Sequence, residues 1–266
     1  MKRLWIQLND IRLAAIDFGG EGKPGLLLLH GTFGRATTWQ NTASWLTPHF
    51  HVIALDQRGH GWSEKPEQAY TRDHYVNDAA QAIRLLDLAP AVVIGHSMGA
   101  LNAWVVAARH PELVRAVVVE DMTAANASPD AGEGVRRWLA SWPLPFPSLA
   151  SVKEFFDWGE PNLGDYFQEI MREQPDGYVP LFNPEHMVQT SNGVHDRDYW
   201  EELEQVQCPT LVVKGSESES VREELQEMAR RLPHGQYREV AGAFHVVHYN
   251  QPESWRAVIE PFVLGL

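Results

Sequence analysis

One pentapeptide carries the residue types for nucleophilic catalysis, Gly95-His96-Ser97-Met98-Gly99. It lies between an apolar, β-branched run, residues 91–94, and a helix-forming run, residues 101–109. A serine on a sharp turn from strand to helix exposes its hydroxyl, and flanking glycines keep side chains out of the crowded backbone. The N–H of Met98 would begin the helix, where a backbone donor can stabilise an oxyanion. The pattern predicts Ser97 as a nucleophile and Met98 as an oxyanion-hole donor.

The composition narrows the classes of protein that fit. The chain has 266 residues, which suits one large α/β domain or a domain with an insertion. Its net charge of −13 at pH 7 argues against a nucleic-acid partner and against anionic membrane surfaces. The single cysteine, Cys208, excludes an internal disulfide and fits a small core residue. No apolar run is long enough to span a membrane, and no signal-peptide core is present, so we expect a cytoplasmic protein without stable membrane association.

No signature of a metal or cofactor occurs in the sequence. No cluster of histidine, cysteine or acidic residues has metal-ligand spacing, and His-Glu-x-x-His is absent. The glycine-rich stretch 19–25 lacks the ending of a phosphate-binding loop, and there is no dinucleotide fingerprint. We therefore expect chemistry without a cofactor or a metal, on a small-molecule substrate. The oligomeric state stays open.

The elements that must position the serine alternate between strand and helix. Strand-like runs occur at residues 4–8, 11–18, 26–29, 51–55, 91–94, 116–119, 210–214 and 236–240. Helical patterns separate most of them, as at residues 73–88, so the sequence predicts the α/β class with a doubly wound, mostly parallel sheet. Ligands of such sheets bind at the carboxyl ends of strands, where His30, Ser97 and Asp121 fall.

Residues 123–200 break this alternation. Strand-like runs disappear there, and aromatic residues accumulate, namely Trp138, Trp142, Phe146, Phe155, Phe156, Trp158, Tyr166, Phe167, Tyr178 and Phe182. We expect a mostly helical cap, inserted between core segments 1–122 and 201–266 and lying above the active edge of the sheet. Most of the aromatic residues would hold the cap together, and we expect Trp138 and Trp142 to bind substrate.

Four motifs, taken in order, resemble the α/β-hydrolase family over essentially the whole chain. They are His30-Gly31, Asp56-x-Arg58-Gly59-His60-Gly61, the Gly95–Gly99 elbow, and Gly242-Ala243-Phe244-His245. The resemblance implies a serine hydrolase of the esterase-like branch. It also implies that His245 is the base that activates the serine, whereas His248 would lie at a helix start or on the pocket rim.

The resemblance leaves the third member of the triad open. Most relatives carry an aspartate three residues after a glycine that follows the strand at 210–214, but Ser218 stands at that position. A subgroup carries its acid at the end of the preceding strand, where this chain has Asp121. We favour Asp121, with Glu219 and Glu217 as the alternatives.

The loops that follow the strands at 26–29 and 51–55 complete the predicted site. The resemblance places the second oxyanion donor at the backbone N–H of Thr32, and we expect Phe33 to line the pocket. We interpret Asp56 and Arg58 as a structural pair whose hydrogen bonds hold their turn.

The reaction that these residues favour is cleavage of a carboxylic ester through an acyl-serine. Haloalkane dehalogenases and epoxide hydrolases are excluded because their chemistry needs a carboxylate at the position of Ser97. An apolar acyl or alcohol pocket fits the aromatic insertion. Lactone opening and C–C cleavage of a diketone are the alternatives on the same triad. The alternative outside the enzymes is a non-catalytic receptor that binds a ligand in the same pocket.

Overall fold

The fold is organised by an eight-stranded sheet, seen in a computed structural model that describes residues 1–157 and 160–266. The strands of the described residues are β1 (Lys2–Gln7), β2 (Arg12–Gly19), β3 (Gly25–Leu29), β4 (His51–Asp56), β5 (Ala91–His96), β6 (Val114–Glu120), β7 (Met171–Gln174), β8 (Gly177–Pro180), β9 (Thr210–Gly215) and β10 (Gly235–Val240). The order in the large sheet is β1-β2-β4-β3-β5-β6-β9-β10. Strand β2 is antiparallel to both of its neighbours, and all other pairs are parallel. This confirms the predicted α/β class.

Helices cover both faces of the sheet. They are α1 (Gln40–Leu46), α2 (Arg72–Leu85), α3 (Met98–Arg109), α4 (Ala131–Ala140), α5 (Leu149–Phe156), α6 (Leu163–Glu169), α7 (Pro184–Val194), α8 (Trp200–Glu204), α9 (Arg222–Arg231), α10 (Val247–Asn250) and α11 (Pro252–Leu264). Short 3₁₀ turns occupy Ala36–Trp39 and Pro111–Leu113. None of the helices in the described ranges is both long and apolar enough to cross a membrane.

Successive leucines of β3 show why the sheet needs cover on both sides. Leu27 and Leu29 enter one core with α2, α3 and α9, while Leu26 and Leu28 enter another with α1 and α11. Side chains alternate between the faces of a strand, so a continuous apolar run requires two cores. Cys208 is partly buried against the first core, and burial raises the pKa of its thiol to about 11.

The segment 123–200 contains a hairpin that the sequence analysis missed. Strands β7 and β8 pair antiparallel, with Met171 opposite Pro180. Neither strand alternates apolar and polar residues, and the turn pair Asp176-Gly177 was the one available signal. Among the described residues of the segment, helices α4 to α7 and the loops between them enclose a third core, in which half of the buried residues are aromatic. Trp158, one of the aromatic residues expected in the cap, lies outside the described residues.

Candidate active site

Ser97 stands on the turn between β5 and α3. Its backbone has φ 50° and ψ −121°, a conformation that residues with a Cβ rarely adopt. Its N–H donates to the Glu120 carbonyl at 2.9 Å, which ties the turn to the end of β6. A Cβ on Gly95 would lie 2.2 Å from the Gly99 carbonyl oxygen, and one on Gly99 would lie 2.2 Å from that of Leu29. The strained turn therefore requires both glycines.

The structure brings Asp121 and His245 together. Asp121 follows β6, and its side chain is fully buried. His245 lies between β10 and α10, and its Nδ1–H donates to Asp121 Oδ2 at 2.7 Å. This bond leaves Nε2 as the ring nitrogen available to accept a proton from Ser97.

The surroundings of His245 favour its protonated form. Burial in the site lowers its pKa, but the hydrogen bond to Asp121 and the charges of Asp121, Glu120 and Glu160 outweigh this effect, and the pKa is raised. The side chain is still 46% exposed, so the imidazole is held on one side and open on the other. Such a base is oriented and accessible at once.

The turn after β9 donates hydrogen bonds to Asp121. Ser218, which stands where most relatives carry the acid, donates its hydroxyl to Asp121 Oδ2. Ser220 Oγ donates to the same oxygen at 3.2 Å, and the Gly215 N–H donates to Oδ1 at 3.3 Å. Glu217 accepts a hydrogen bond from its neighbour Ser216. The serine at 218 was the sequence signal for this arrangement.

Ser97 and His245 line one cavity, together with His96. Within the described residues, no hydrogen bond joins Ser97 Oγ to the imidazole. Catalytic hydrogen bonds are often long before substrate binds, so the contact is expected to close in the complex. His96 Nε2–H donates to the His245 carbonyl at 3.0 Å, and burial lowers the pKa of His96 well below its usual value. His96 is therefore a neutral support for the loop of His245.

The two predicted oxyanion donors flank the serine. Met98 is the first residue of α3, so its N–H has no acceptor within the helix. Thr32 lines the cavity, and its carbonyl oxygen is hydrogen-bonded to His60 Nε2. Burial lowers the pKa of His60, and its contacts with the carbonyl groups of Arg58 and Thr32 act in the opposite direction.

The cavity has a volume of about 310 Å³. Phe33 and Trp138 line it, with ring centroids 4.8 Å apart. Trp142 does not line it, contrary to expectation, because it follows the end of α4 and turns into the third core against Phe156. Glu160 also lies on the cavity wall and was not predicted, because a lone glutamate in a polar loop gives no sequence signal.

The contacts correct the expected pairing of Asp56 with Arg58 and confirm the first of the two places expected for His248. Arg58 pairs with Asp78 at 2.7 Å, and Asp56 instead accepts the N–H groups of Ala36 and Trp62. His248 does start a helix, but it is buried and bound to Glu120, so it does not lie on the rim.

No group of three or more metal-ligating side chains that could hold an ion occurs in the ranges 1–157 and 160–266. Ser97, His245 and Asp121, predicted as nucleophile, base and orienting acid, lie at one site with the predicted donors Thr32 and Met98. That set of groups is suited to acyl transfer.

Comparisons with known proteins agree with this geometry. Residues 24–252 match the family model described as alpha/beta hydrolase fold. A 2-(acetamidomethylene)succinate hydrolase of Mesorhizobium japonicum is 32% identical over 246 residues, covering 90% of this chain and 88% of the relative. An (E)-2-((N-methylformamido)methylene)succinate hydrolase of Acinetobacter baylyi is 26% identical, with 93% of each chain covered.

A solved structure extends the likeness to three dimensions. The crystal structure of an E-2-(acetamidomethylene)succinate hydrolase superposes with a TM-score of 0.87 at 28% identity, and the match covers 98% of each chain. Together with the family match over most of the sequence, this identifies the chain as a hydrolase that belongs to the alpha/beta hydrolase fold family.

Proposed function

We propose that the protein cleaves an acyl bond of a small molecule through an acyl-serine intermediate. The observation that carries this proposal is the 2.7 Å hydrogen bond between His245 and Asp121, on the wall of the cavity that Ser97 also lines. A buried carboxylate that holds one nitrogen of an accessible imidazole is the arrangement that makes a serine reactive.

Each group has one task in the reaction. Ser97 Oγ attacks the carbonyl carbon while His245 Nε2 takes its proton, and the N–H groups of Thr32 and Met98 stabilise the oxyanion. His245 then gives the proton to the leaving group, and the acyl group stays on Ser97. A water molecule next attacks the acyl carbon and gives a proton to His245, which returns it to Ser97 as the acid leaves. Asp121 remains ionised and stabilises the imidazolium throughout.

The class of bond is proposed from the relatives and from the size of the cavity. Both named relatives act on succinates that carry an acylaminomethylene group, which are compact multifunctional compounds and not simple alkyl esters. A volume of about 310 Å³ lies at the small end of ligand sites. We therefore place a compact substrate of the lactone or C–C class ahead of the simple carboxylic ester that the motifs alone favoured.

We also propose that residues 123–200 act as a cap over the site. Trp138 and Phe167 from this segment line the cavity opposite Ser97, and Phe33 of the core contacts Trp138. Closure of such a segment would exclude water from the reacting carbonyl.

Phosphonate labelling tests the proposal directly. A fluorophosphonate should modify Ser97 alone, and Ser97→Ala should abolish labelling and lower turnover by several orders of magnitude. Ser44→Ala, on an exposed face of α1, is the matched control and should label as the parent does. An adduct on another residue, or ligand binding without any acyl transfer, would exclude the proposed mechanism.

A substrate series then separates the bond classes. p-Nitrophenyl esters from acetate to octanoate should be cleaved fastest at short chain length because the cavity is small, and compact lactones should be opened by the same site. A preference for octanoate, with no lactone activity, would return the assignment to simple esters.

A further inference from the structure

The charges on the cavity wall differ from what a succinate would require. Glu160 is the one carboxylate among the described lining residues, and no lysine or arginine is among them. Trp158 and Gly159, which lie outside the described residues, have no charged side chain either. A dicarboxylate taken into a cavity needs cationic partners, because an unpaired buried charge is costly. The two relatives are named for succinates, which are dicarboxylates, and the described lining of this cavity has no lysine or arginine to pair with such a charge.

Glu160 is positioned to contact what enters the cavity. It lies three residues before α6, and its carbonyl accepts the Leu163 N–H at 3.3 Å. Its Oε1 is buried and has no hydrogen-bond partner among the described residues. The pKa of Glu160 is raised, because burial and the charges of Asp121 and Glu219 outweigh the lowering by Asn250 and His245. The unpaired oxygen calls for a donor on the ligand.

The remaining wall is aromatic and suits the same kind of ligand. Phe33, Trp138, Tyr166 and Phe167 all line the cavity, and aromatic faces attract cations. A neighbouring groove, which His245 also lines, adds Glu217 and Glu219, and no lysine or arginine is among its described lining residues. A carboxylate on the substrate would be repelled by Glu160 in the cavity and by Glu217 and Glu219 in the groove.

We propose that Glu160 sets the charge specificity of this site, so that it accepts acyl compounds bearing an ammonium or another hydrogen-bond donor and rejects carboxylates. This inference rests on the proposed acyl-serine function. It separates this chain from the succinate hydrolases that it resembles.

Three thioacetates with one acyl group and different heads test the inference. S-acetylthiocholine carries an ammonium, its 3,3-dimethylbutyl analogue is neutral with the same shape, and S-acetyl-3-mercaptopropionate carries a carboxylate. All three transfer the same acetyl group to Ser97 and release a thiol. Because the thiols differ in acidity, each kcat/KM is divided by the rate of alkaline hydrolysis of the same compound, and the normalised values then report contacts with the head group. We expect the normalised kcat/KM to fall by roughly tenfold at each step from ammonium to neutral to carboxylate, the scale of one charge-assisted contact.

Glu160→Gln keeps the shape of the side chain and removes its charge. The three normalised kcat/KM values should then converge to within about threefold, while Glu173→Gln, exposed on β7, should keep the parental order. Loss of the Glu160 charge also changes His245, but this affects all three substrates alike and cancels in their ratios. The ratio of two kcat/KM values, measured on the same preparation, also does not depend on the fraction of the variant that folds.

Two results would overturn the inference while leaving the acyl-serine mechanism intact. One is preferential cleavage of the carboxylate compound by the parent protein, and the other is an unchanged order in Glu160→Gln. If no thioacetate is cleaved, labelling rates of Ser97 by matched ammonium and carboxylate phosphonates give the same ratio. Failure of every phosphonate to label Ser97 would instead remove the proposed function itself.

Discussion

Two carboxylate–histidine pairs are built from the same two segments of this chain, and they differ in what surrounds them. Asp121 and Glu120 are neighbours at the end of β6, and their partners His245 and His248 lie three residues apart. The His245 side chain is 46% exposed and faces the cavity. The His248 side chain is 2% exposed, and its ring is stacked on Trp39 with centroids 3.9 Å apart.

The difference shows that a short acid–histidine contact does not by itself make a base. Glu120 accepts both the backbone N–H and Nδ1–H of His248, at 2.9 and 2.8 Å, so this pair anchors the start of α10. From His245, Asp121 accepts a hydrogen bond only from the side-chain Nδ1–H. The other ring nitrogen, Nε2, is open to the cavity. Access to a substrate separates the pair that we propose as catalytic from the anchoring pair.

The largest effect should follow from removing the charge of the exposed pair. Asp121→Asn keeps the shape of the side chain but cannot hold the same imidazole tautomer or stabilise the imidazolium. Turnover of a p-nitrophenyl ester should fall on the order of 10⁴-fold. Steady-state kinetics, with Ser97 labelling to count active sites, measures this fall.

The alternatives for the acid provide the control. Glu217→Gln and Glu219→Gln should cost little, because neither carboxylate hydrogen bonds to His245 in the described structure. If Glu219→Gln abolished turnover while Asp121→Asn stayed active, the acid would belong after β9 and the contrast between the two pairs would be lost.

Stability should respond in the opposite order. His248→Ala leaves Glu120 buried without its partner, which should lower the free energy of unfolding by about 3–5 kcal/mol. His245→Ala removes a half-exposed ring and should cost less than about 1 kcal/mol. Urea denaturation followed by circular dichroism compares the two variants, and equal losses of stability would mean that both pairs are structural.

The parts of the fold that could be predicted are those specified by local patterns. Continuous apolar runs predicted the buried strands, because a strand covered on both faces has no polar side to show. The hairpin β7–β8 was missed because neither of its four-residue strands alternates apolar and polar residues. The end of helix α2 at Leu85, three residues before the predicted end, depends on Asp87, whose φ of 53° cannot continue a helix.

The residues of the site also divide into those that a local pattern predicts and those that depend on distant contacts. Ser97 could be predicted because an elbow is a local sequence pattern. Trp138 and Trp142 could not be told apart, since α4 ends between them and the helical spacing no longer fixes which side each ring faces. The burial of His248 depends on Trp39 and Glu120, which are distant in sequence, and no pattern near residue 248 reports it.

The smallest effect expected is a shift in pH dependence, and it tests whether the anchoring pair acts on the exposed one. His245 must be neutral to accept the proton of Ser97, so kcat/KM should fall as pH drops through its pKa. The raised pKa places this acid limb above the ordinary value of about 6.5. Glu120 is one of the charges that raise the pKa of His245.

Glu120→Gln should therefore move the acid limb toward lower pH, by at most about one unit. Relative to its own plateau, this variant should be more active than the parent near the foot of the limb, because a larger fraction of its His245 is neutral there. Glu253→Gln, exposed at the start of α11, controls for the loss of one negative charge from the protein as a whole. A midpoint that stays in place or rises would show that Glu120 anchors His248 without acting on His245.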